Sequence, residues 1–433
     1  MRTIKKLLLM SMVLLISIGT LFAAGGGQGG GTASSGGTKT IEFWHIQNVD
    51  PAPKFIGDAV KRFEAANPEY KVNVIITAND SYKQKIAVAA ASGQVPDVFM
   101  SWTGGITNEY VKADLLADLT PYFDKNNVKA KFLDGAIEQA KVNGRIYAVP
   151  VENTAIAGVW YNKDLFAKYN LTVPKTIAEL EAVCDKLKQN GIIPFSLANM
   201  TKWTAIMYYQ NLPSRHAGIK PFADALAGTG SFNSEPFIWS AKKMQDWVRK
   251  GYFNEGFNGL DEDSGQSRTL LYTERAAMQV QGSWFVSNVA GENPDFLKKV
   301  GFFNFPADET GTGSPQTVSG TLGDNFYHVS AKSQNPEAAF DMLITLLDDQ
   351  AVKERIAAGR IPPLKSVTLS DPLMQEVFKT IQAATDVQFW YNESLAPEPR
   401  EVFETSLQEL LGLSISPEEF AKRWQDAQAK SLK

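Results

Sequence analysis

Beyond Lys39 the chain alternates between short apolar runs and longer stretches with helical spacing. Ile41, Phe43 and Trp44 form a short run that predicts a strand. Pro51 and Pro53 stand where a helix can begin, because proline pre-sets the helical φ and lacks only a donor that the first turn leaves unused. Ile56, Val60 and Phe63 recur at helical spacing up to Asn67-Pro68. Val72, Val74 and Ile76 alternate as one face of a second strand. Tyr82 to Ser92 returns to helix, closed by Gly93, and Val95 to Met100 predicts a third strand. This strand–helix–strand–helix–strand order predicts a layered α/β unit with parallel pairing, since a helical crossover brings the chain back in the same direction.

The pattern changes near Tyr147. Gly144 to Asn153 and Gly158 to Tyr161 are extended apolar runs. Asn162 to Tyr169, Ile177 to Gln189, Ile238 to Lys250 and Thr269 to Ala277 read as helices, so most of Pro174 to Asn293 is expected to be helical. Strands are predicted again at Gly301 to Pro306 and Asp324 to Val329, followed by an apolar helix from Pro336 to Leu347. Helices over Glu401 to Leu411 and Pro417 to Ala429 complete the pattern. No solenoid repeat and no composition-marked linker separates the two strand-bearing regions, which suggests a chain that passes between lobes more than once.

With 433 residues, the chain suits two lobes rather than one core. Residues 1–24 read as a secretory signal peptide: Arg2, Lys5 and Lys6, an apolar run from Leu7 to Leu21, then the small residues Ala23 and Ala24. Residues 25–38, rich in Gly and Ser, read as a flexible tether that cannot build a core. Gly25 stands where a lipoprotein would carry a cysteine, so a periplasmic protein without a lipid anchor is expected. The single cysteine, Cys184, lies in a helical pattern and reads as a small buried hydrophobe. Without the leader, 40 basic side chains face 47 acidic ones, with no basic block; this argues against nucleic acid and anionic membrane surfaces as partners.

A search for catalytic chemistry finds little. There is no Gly-x-Ser-x-Gly elbow, no His-Glu-x-x-His pair and no glycine-rich phosphate loop opening a helix. His45, His216 and His328 are too dispersed to suggest a metal site. Asp261 to Gly265 resembles a fragment of a calcium loop without its terminal glutamate, and reads as a solvated acidic loop. No catalytic residue, metal or cofactor is expected.

The aromatics are more informative. Trp44, Trp102, Trp203 and Trp284 stand in polar, Gly- or Ser-containing contexts where side chains are exposed. Flat indoles can stack on the C–H faces of a sugar ring, while planar polar groups bond its hydroxyls in pairs. Several motifs accompany them: IEFWH (Ile41 to His45), GQVPDVFMSW (Gly93 to Trp102), GRIYAVPVE (Gly144 to Glu152), WYNKDLFAKYNLTVPKTIAEL (Trp160 to Leu180), AAMQVQGSW (Ala276 to Trp284) and NPEAAFDMLITLL (Asn335 to Leu347). On these the chain resembles, from Thr40 to Lys433, the extracellular solute-binding proteins of carbohydrate ABC importers, the group that includes the maltose-binding proteins.

That resemblance implies an α/β fold of the two-lobed periplasmic-binding-protein type (type II), with three hinge crossings near Pro150–Asn153, Val300–Phe303 and Arg360–Pro363. Lobe one would hold residues 39–150 and 301–359, and lobe two residues 151–300 and 360–433. It implies a monomeric receptor that captures a mono- or oligosaccharide between the lobes and delivers it to an ABC permease in the membrane. The ligand-binding candidates are Trp284 first, then Trp102 and Glu152. Trp44, His45 and Gln47 follow on the loop after the first strand, with Tyr82, Gly323 and Asp324, and then Asn199, Trp203 and Trp390. Competing readings are an exported carbohydrate-cleaving enzyme, a module feeding a chemoreceptor, and a same-fold receptor for a glycerol phosphate or another polar solute.

Overall fold

The structure, a computed structural model, describes residues 38–125 and 127–433; the leader and nearly all of the tether expected from the sequence lie outside the described residues. Eleven strands occur among the described residues. They are β1 (Lys39–His45), β2 (Tyr70–Ile76), β3 (Val98–Ser101), β4 (Lys141–Val142), β5 (Arg145–Ile146), β6 (Val149–Asn162), β7 (Ile193–Phe195), β8 (Ala276–Gly282), β9 (Val300–Phe303), β10 (Val318–Val329) and β11 (Val387–Gln388). β4 and β5 form a separate hairpin; the rest join one mixed sheet whose main path runs β2-β1-β3-β10-β6-β8-β7.

β1 pairs in parallel with both β2 and β3, as the strand–helix–strand reading of the first 100 residues predicts. The helices Ala52–Ala66 and Asn79–Ala91 supply the crossovers. β10 then adds antiparallel to β3, and β6 antiparallel to β10. The alternation of β1 sends Ile41, Phe43 and His45 inward and leaves Glu42 and Trp44 on the other face.

Two long strands tie the buried apolar regions together. Val149 and Val151 of β6 lie in a core with β1, β3 and the helix Pro336–Thr345, whereas Val159 and Trp160 of the same strand belong to cores built from residue 156 onward. β10 repeats this: Val318 lies with Trp160, and Phe326, Tyr327 and Val329 lie with the first core. Its pairing with β6 is broken by irregularities between Thr321 and Asp324 and again between Asp324 and Phe326, and Asn325 takes a left-handed φ of 59°. The chain passes once more between Ala358 and Ile361, where Thr154 N–H donates to the Ile361 carbonyl at 2.7 Å and Ile361 N–H to Asn153 Oδ1 at 2.8 Å.

Val300–Phe303, near which a passage between lobes is expected, forms β9. β9 pairs with the far end of β6, and Phe302 packs 4.8 Å from Trp160, so residues 300–305 belong with the second set of cores. The helix expected over Thr269–Ala277 stops at Tyr272, and Ala276–Gly282 forms β8. Its Ala, Met and Gln residues are good helix formers, but pairing to β6 on one side and β7 on the other decides the outcome.

Among the described residues no helix is long and apolar enough to cross a membrane. Cys184 is buried within the helix Ile177–Gln189.

Candidate ligand-binding cleft

A cavity of about 1150 Å³, open to solvent, lies where the chain passes between the two sets of cores. Of the residues singled out from the sequence, Gln47, Trp102, Glu152, Trp203, Trp284, Asp324 and Trp390 line it.

Three of its indoles form one wall. The ring of Trp284 lies 6.3 Å from Trp203 and 5.9 Å from Trp390, at interplanar angles of 56° and 62°. Local chain geometry builds this wall. Trp284 follows Gly282-Ser283 at the end of β8 and folds back so closely over Gly282 that a Cβ there would collide with its ring. Trp203 opens the helix Trp203–Ala217, and its buried Nε1 has no protein partner. Trp390 precedes Asn392 and Glu393 on a segment that packs against Gly104 and Gly105; a Cβ on either glycine would strike the backbone of Glu393 or Leu395. Trp102 faces the wall from the end of β3, and the Lys83 ammonium stands between, 5.5 Å from the Trp102 ring centre and 5.6 Å from that of Trp203.

The polar lining falls into two kinds. Glu152 is buried and fully engaged: Tyr327 Oη donates to Oε1 at 2.7 Å, and Arg355 and Arg360 donate to Oε2 at 2.6 and 2.7 Å. Burial alone would raise its pKa, but the two guanidinium charges and these hydrogen bonds hold the carboxyl down at about 2. Arg360 also donates to Gln47 Oε1 at 2.8 Å, which fixes the first loop against the passage. On the other side Arg268 spans Glu262 at 2.5 Å and Glu292 at 2.7 Å, and Gln281 donates to Glu262 at 3.1 Å. The Asp261–Gly265 stretch read as a solvated loop therefore has a buried member, Glu262, because Arg268 neutralises it. Asp263 accepts the Asp80 N–H across the cavity at 2.9 Å; burial, then the Asp80 charge, raises its pKa to about 6.

Asp324 differs. It is 8% exposed, it stands opposite Asn153 between the two irregularities of β10, and burial followed by the Glu152 charge raises its pKa to about 7. Glu393 is pushed upward in the same sense, by burial and then by the Asp324 charge.

The structure does not bring the other five candidates to the cavity. Trp44 lies on the outer face of β1, its Nε1 donating to Glu42 at 2.6 Å and its ring 3.7 Å below the Lys85 ammonium. His45 is wholly buried; burial holds its pKa at about 4, and its Nδ1 accepts the Gln47 N–H at 3.1 Å. The Tyr82 hydroxyl is spent on the Met100 carbonyl at 2.6 Å. Asn199 caps the helix Trp203–Ala217 through Ala205 N–H at 3.2 Å. Gly323 packs against Pro150 and Phe326 inside the irregular part of β10. Strand alternation explains His45, and helix capping explains Asn199. Sequence reasoning missed Lys83, Asp263, Arg268, Asn325, Arg360, Glu393 and Arg400, all of which line the cavity. Only the acidic run at Asp261–Asp263 carried a signal.

Comparison with known proteins fits this architecture. A family model described as bacterial extracellular solute-binding protein matches residues 47–353. An uncharacterized ABC transporter extracellular-binding protein of Pyrococcus horikoshii is 26% identical, over 81% of this chain and 79% of its own length. The galactooligosaccharide-binding protein of Bacillus subtilis is 26% identical, over 74% of this chain and 72% of its own. A structure solved in work on xylan utilization by the thermophilic bacterium Caldanaerobius polysaccharolyticus matches with a TM-score of 0.84 at 28% identity, covering 89% of this chain and 99% of that one.

Proposed function

The chain belongs to the bacterial extracellular solute-binding protein family, and from that premise we propose that it is the exported receptor of an ABC-type importer, capturing a mono- or oligosaccharide in the cleft and delivering it to a membrane permease. The observation that carries the reading is the indole wall of Trp203, Trp284 and Trp390 set against carboxylates and amides in one open cavity. A sugar offers apolar C–H faces to such a wall and hydroxyls to such groups. The galactooligosaccharide-binding relative supports the same ligand class. The test is a thermal-shift screen against mono- and oligosaccharides, because a ligand bound only by the folded chain raises its melting temperature. A melting temperature unmoved by every saccharide would overturn the reading.

Ligand contacts from both sides of the cleft would favour a closed state by the ligand's differential affinity for it. Lobe one would comprise residues 39–150 and 326–358, and lobe two residues 156–318 and 361–433, with β6, β10 and the Ala358–Ile361 segment as the crossings. The core memberships of these segments support that division. X-ray scattering should show contraction on ligand addition. The family is one of binding proteins, so oligosaccharide incubated with the chain is expected to remain intact by chromatography. A monomer would leave both lobes free to move, and light scattering tests it. Removal of residues 1–24 on export is checked by the mass of the secreted protein.

A further inference from the structure

The two halves of the cleft touch backbone to backbone, and they do so where the chain carries glycine. Gly291 lies in the helix Phe285–Glu292, whose Val286 and Val289 belong to the second set of cores. Opposite it stands Asp50, which precedes the helix Ala52–Ala66 and its first-core residues Phe55 and Ile56. A Cβ built on Gly291 would lie 2.1 Å from the Asp50 carbonyl oxygen and 3.1 Å from its carbon. Gly105 repeats the arrangement from the other half. It opens the helix Gly105–Lys112, whose Tyr110 lies in the first core. A Cβ on Gly105 would lie 2.2 Å from the carbonyl oxygen of Leu395, a residue of the second set. Both obstacles are main chain, so no side-chain rotation relieves either collision. A methyl group at these positions requires the two halves to part by roughly 1 Å.

Neither residue has to be glycine for its own conformation. Both lie in helices without a left-handed φ, and in a helix alanine is the more stable residue. Gly57, in the helix Ala52–Ala66, gives the contrast: nothing lies within 4 Å of a Cβ built there. What makes glycine necessary at 291 and 105 is the neighbouring half of the cleft, not the local backbone. A further contact joins the same halves. The helix Asn79–Ala91 has no capping side chain of its own at Ala78, and Asp263 from the other half accepts its Asp80 N–H at 2.9 Å. Neither Gly291 nor Gly105 lines the main cavity.

Resting on the receptor reading above, we propose that Gly291 and Gly105 are closure seats: affinity-determining positions outside the ligand cavity, where the lack of a side chain lets the two halves come together around a saccharide. Apparent affinity falls with the fraction of the chain able to close, so a methyl group that wedges the halves apart weakens binding without touching the sugar.

The experiment is calorimetric titration and X-ray scattering of the exported chain and of Gly291→Ala, Gly105→Ala and the control Gly57→Ala, with xylo- and galacto-oligosaccharides as probes. Gly291→Ala and Gly105→Ala are expected to bind the parent's saccharide about tenfold or more weakly, through faster dissociation in stopped flow. At saturation they should keep a larger radius of gyration than the parent, while melting within a few degrees of it without ligand. Gly57→Ala should match the parent in affinity and radius. Parental affinity and radius in both folded variants overturn the proposal and leave the receptor reading standing. An effect at one glycine alone overturns the role of the other. Should the parent bind no saccharide, the receptor reading falls, and ligand-free scattering decides the seats: expansion in both variants supports them, and profiles identical to the parent's overturn them.

Discussion

Glu152 and Asp324 are carboxylic acids on paired strands beside the same cavity, and their environments drive them in opposite directions. Glu152 receives two guanidinium groups and a phenol, and its pKa is held near 2. Asp324 forms no ion pair among the described residues; burial, then the Glu152 charge, raises its pKa to about 7. The first acid belongs to a closed network in which Tyr327 and Arg355 come from segments beside the first core and Arg360 from the passage between Ala358 and Ile361. The second belongs to an open one. Burial is nearly the same for both, so partner count, not depth, separates a carboxyl held down near 2 from one raised to about 7.

The largest test of that contrast is stability. Glu152→Gln leaves two buried arginines facing each other without their acid and should cost about 3–5 kcal/mol in urea unfolding. Asp324→Asn removes an acid that has no cation and should change stability by less than about 1 kcal/mol near pH 4, where the native group is protonated. Similar losses from the two variants under those conditions would erase the distinction.

The second test uses pH, and the signs differ. Glu152 is an acid depressed on folding, from 4.5 to about 2, so its contribution is complete above pH 4.5 and is lost as pH falls toward 2. Asp324 is raised from 3.8 to about 7, so the folded chain keeps a proton that the unfolded chain releases; its contribution is complete below pH 3.8 and is lost as pH rises through 7. Relative to the parent, Asp324→Asn should therefore gain stability between pH 4 and 7, on the order of a few kcal/mol at about 1.4 kcal/mol per unit. Parallel stability–pH curves for parent and variant in that window would show that Asp324 is not strained.

This contrast also marks where the sequence stops being legible. The parallel β1–β3 unit, the apolar helix from Pro336 and the tryptophans in polar, Gly- or Ser-containing contexts follow from local pattern, and three of those four tryptophans, Trp102, Trp203 and Trp284, line one cavity. Trp44 satisfies the same local description and points away, because only strand alternation decides its face. The Glu152 network joins residues 203 and 208 positions apart, and no periodicity registers such a separation. The left-handed Asn325 depends on a pairing irregularity between strands more than 150 residues apart in the chain, so nothing around it in the sequence announces it. Local physics writes the elements and the aromatic wall; tertiary pairing writes the polar chemistry.

A third test concerns the indole wall. Trp284→Ala removes a stacking face whose neighbours, Trp203 and Trp390, remain. The expected loss of saccharide affinity is about 1–3 kcal/mol. Calorimetry showing native affinity would shift the wall's role from binding to packing.

The smallest expected effect concerns Lys83, a cation that lies between the two sides of the cleft. Lys83 Nζ contacts Asp80 at 3.2 Å and stands over both Trp102 and Trp203, which belong to different cores. Lys83→Met keeps the length and the apolar stem and removes only the charge. Each cation–π contact is worth about 0.5–1 kcal/mol, and the partly exposed ion pair to Asp80 adds little. The variant should therefore bind saccharide about two- to tenfold more weakly and should melt within a few degrees of the parent. Without ligand it should give a slightly larger radius of gyration in scattering, because a contact spanning the cleft has gone. An affinity and a scattering profile both identical to the parent's would mean that the Lys83 charge contributes nothing to holding the two sides together, and that the indoles meet a ligand without help from the ammonium between them.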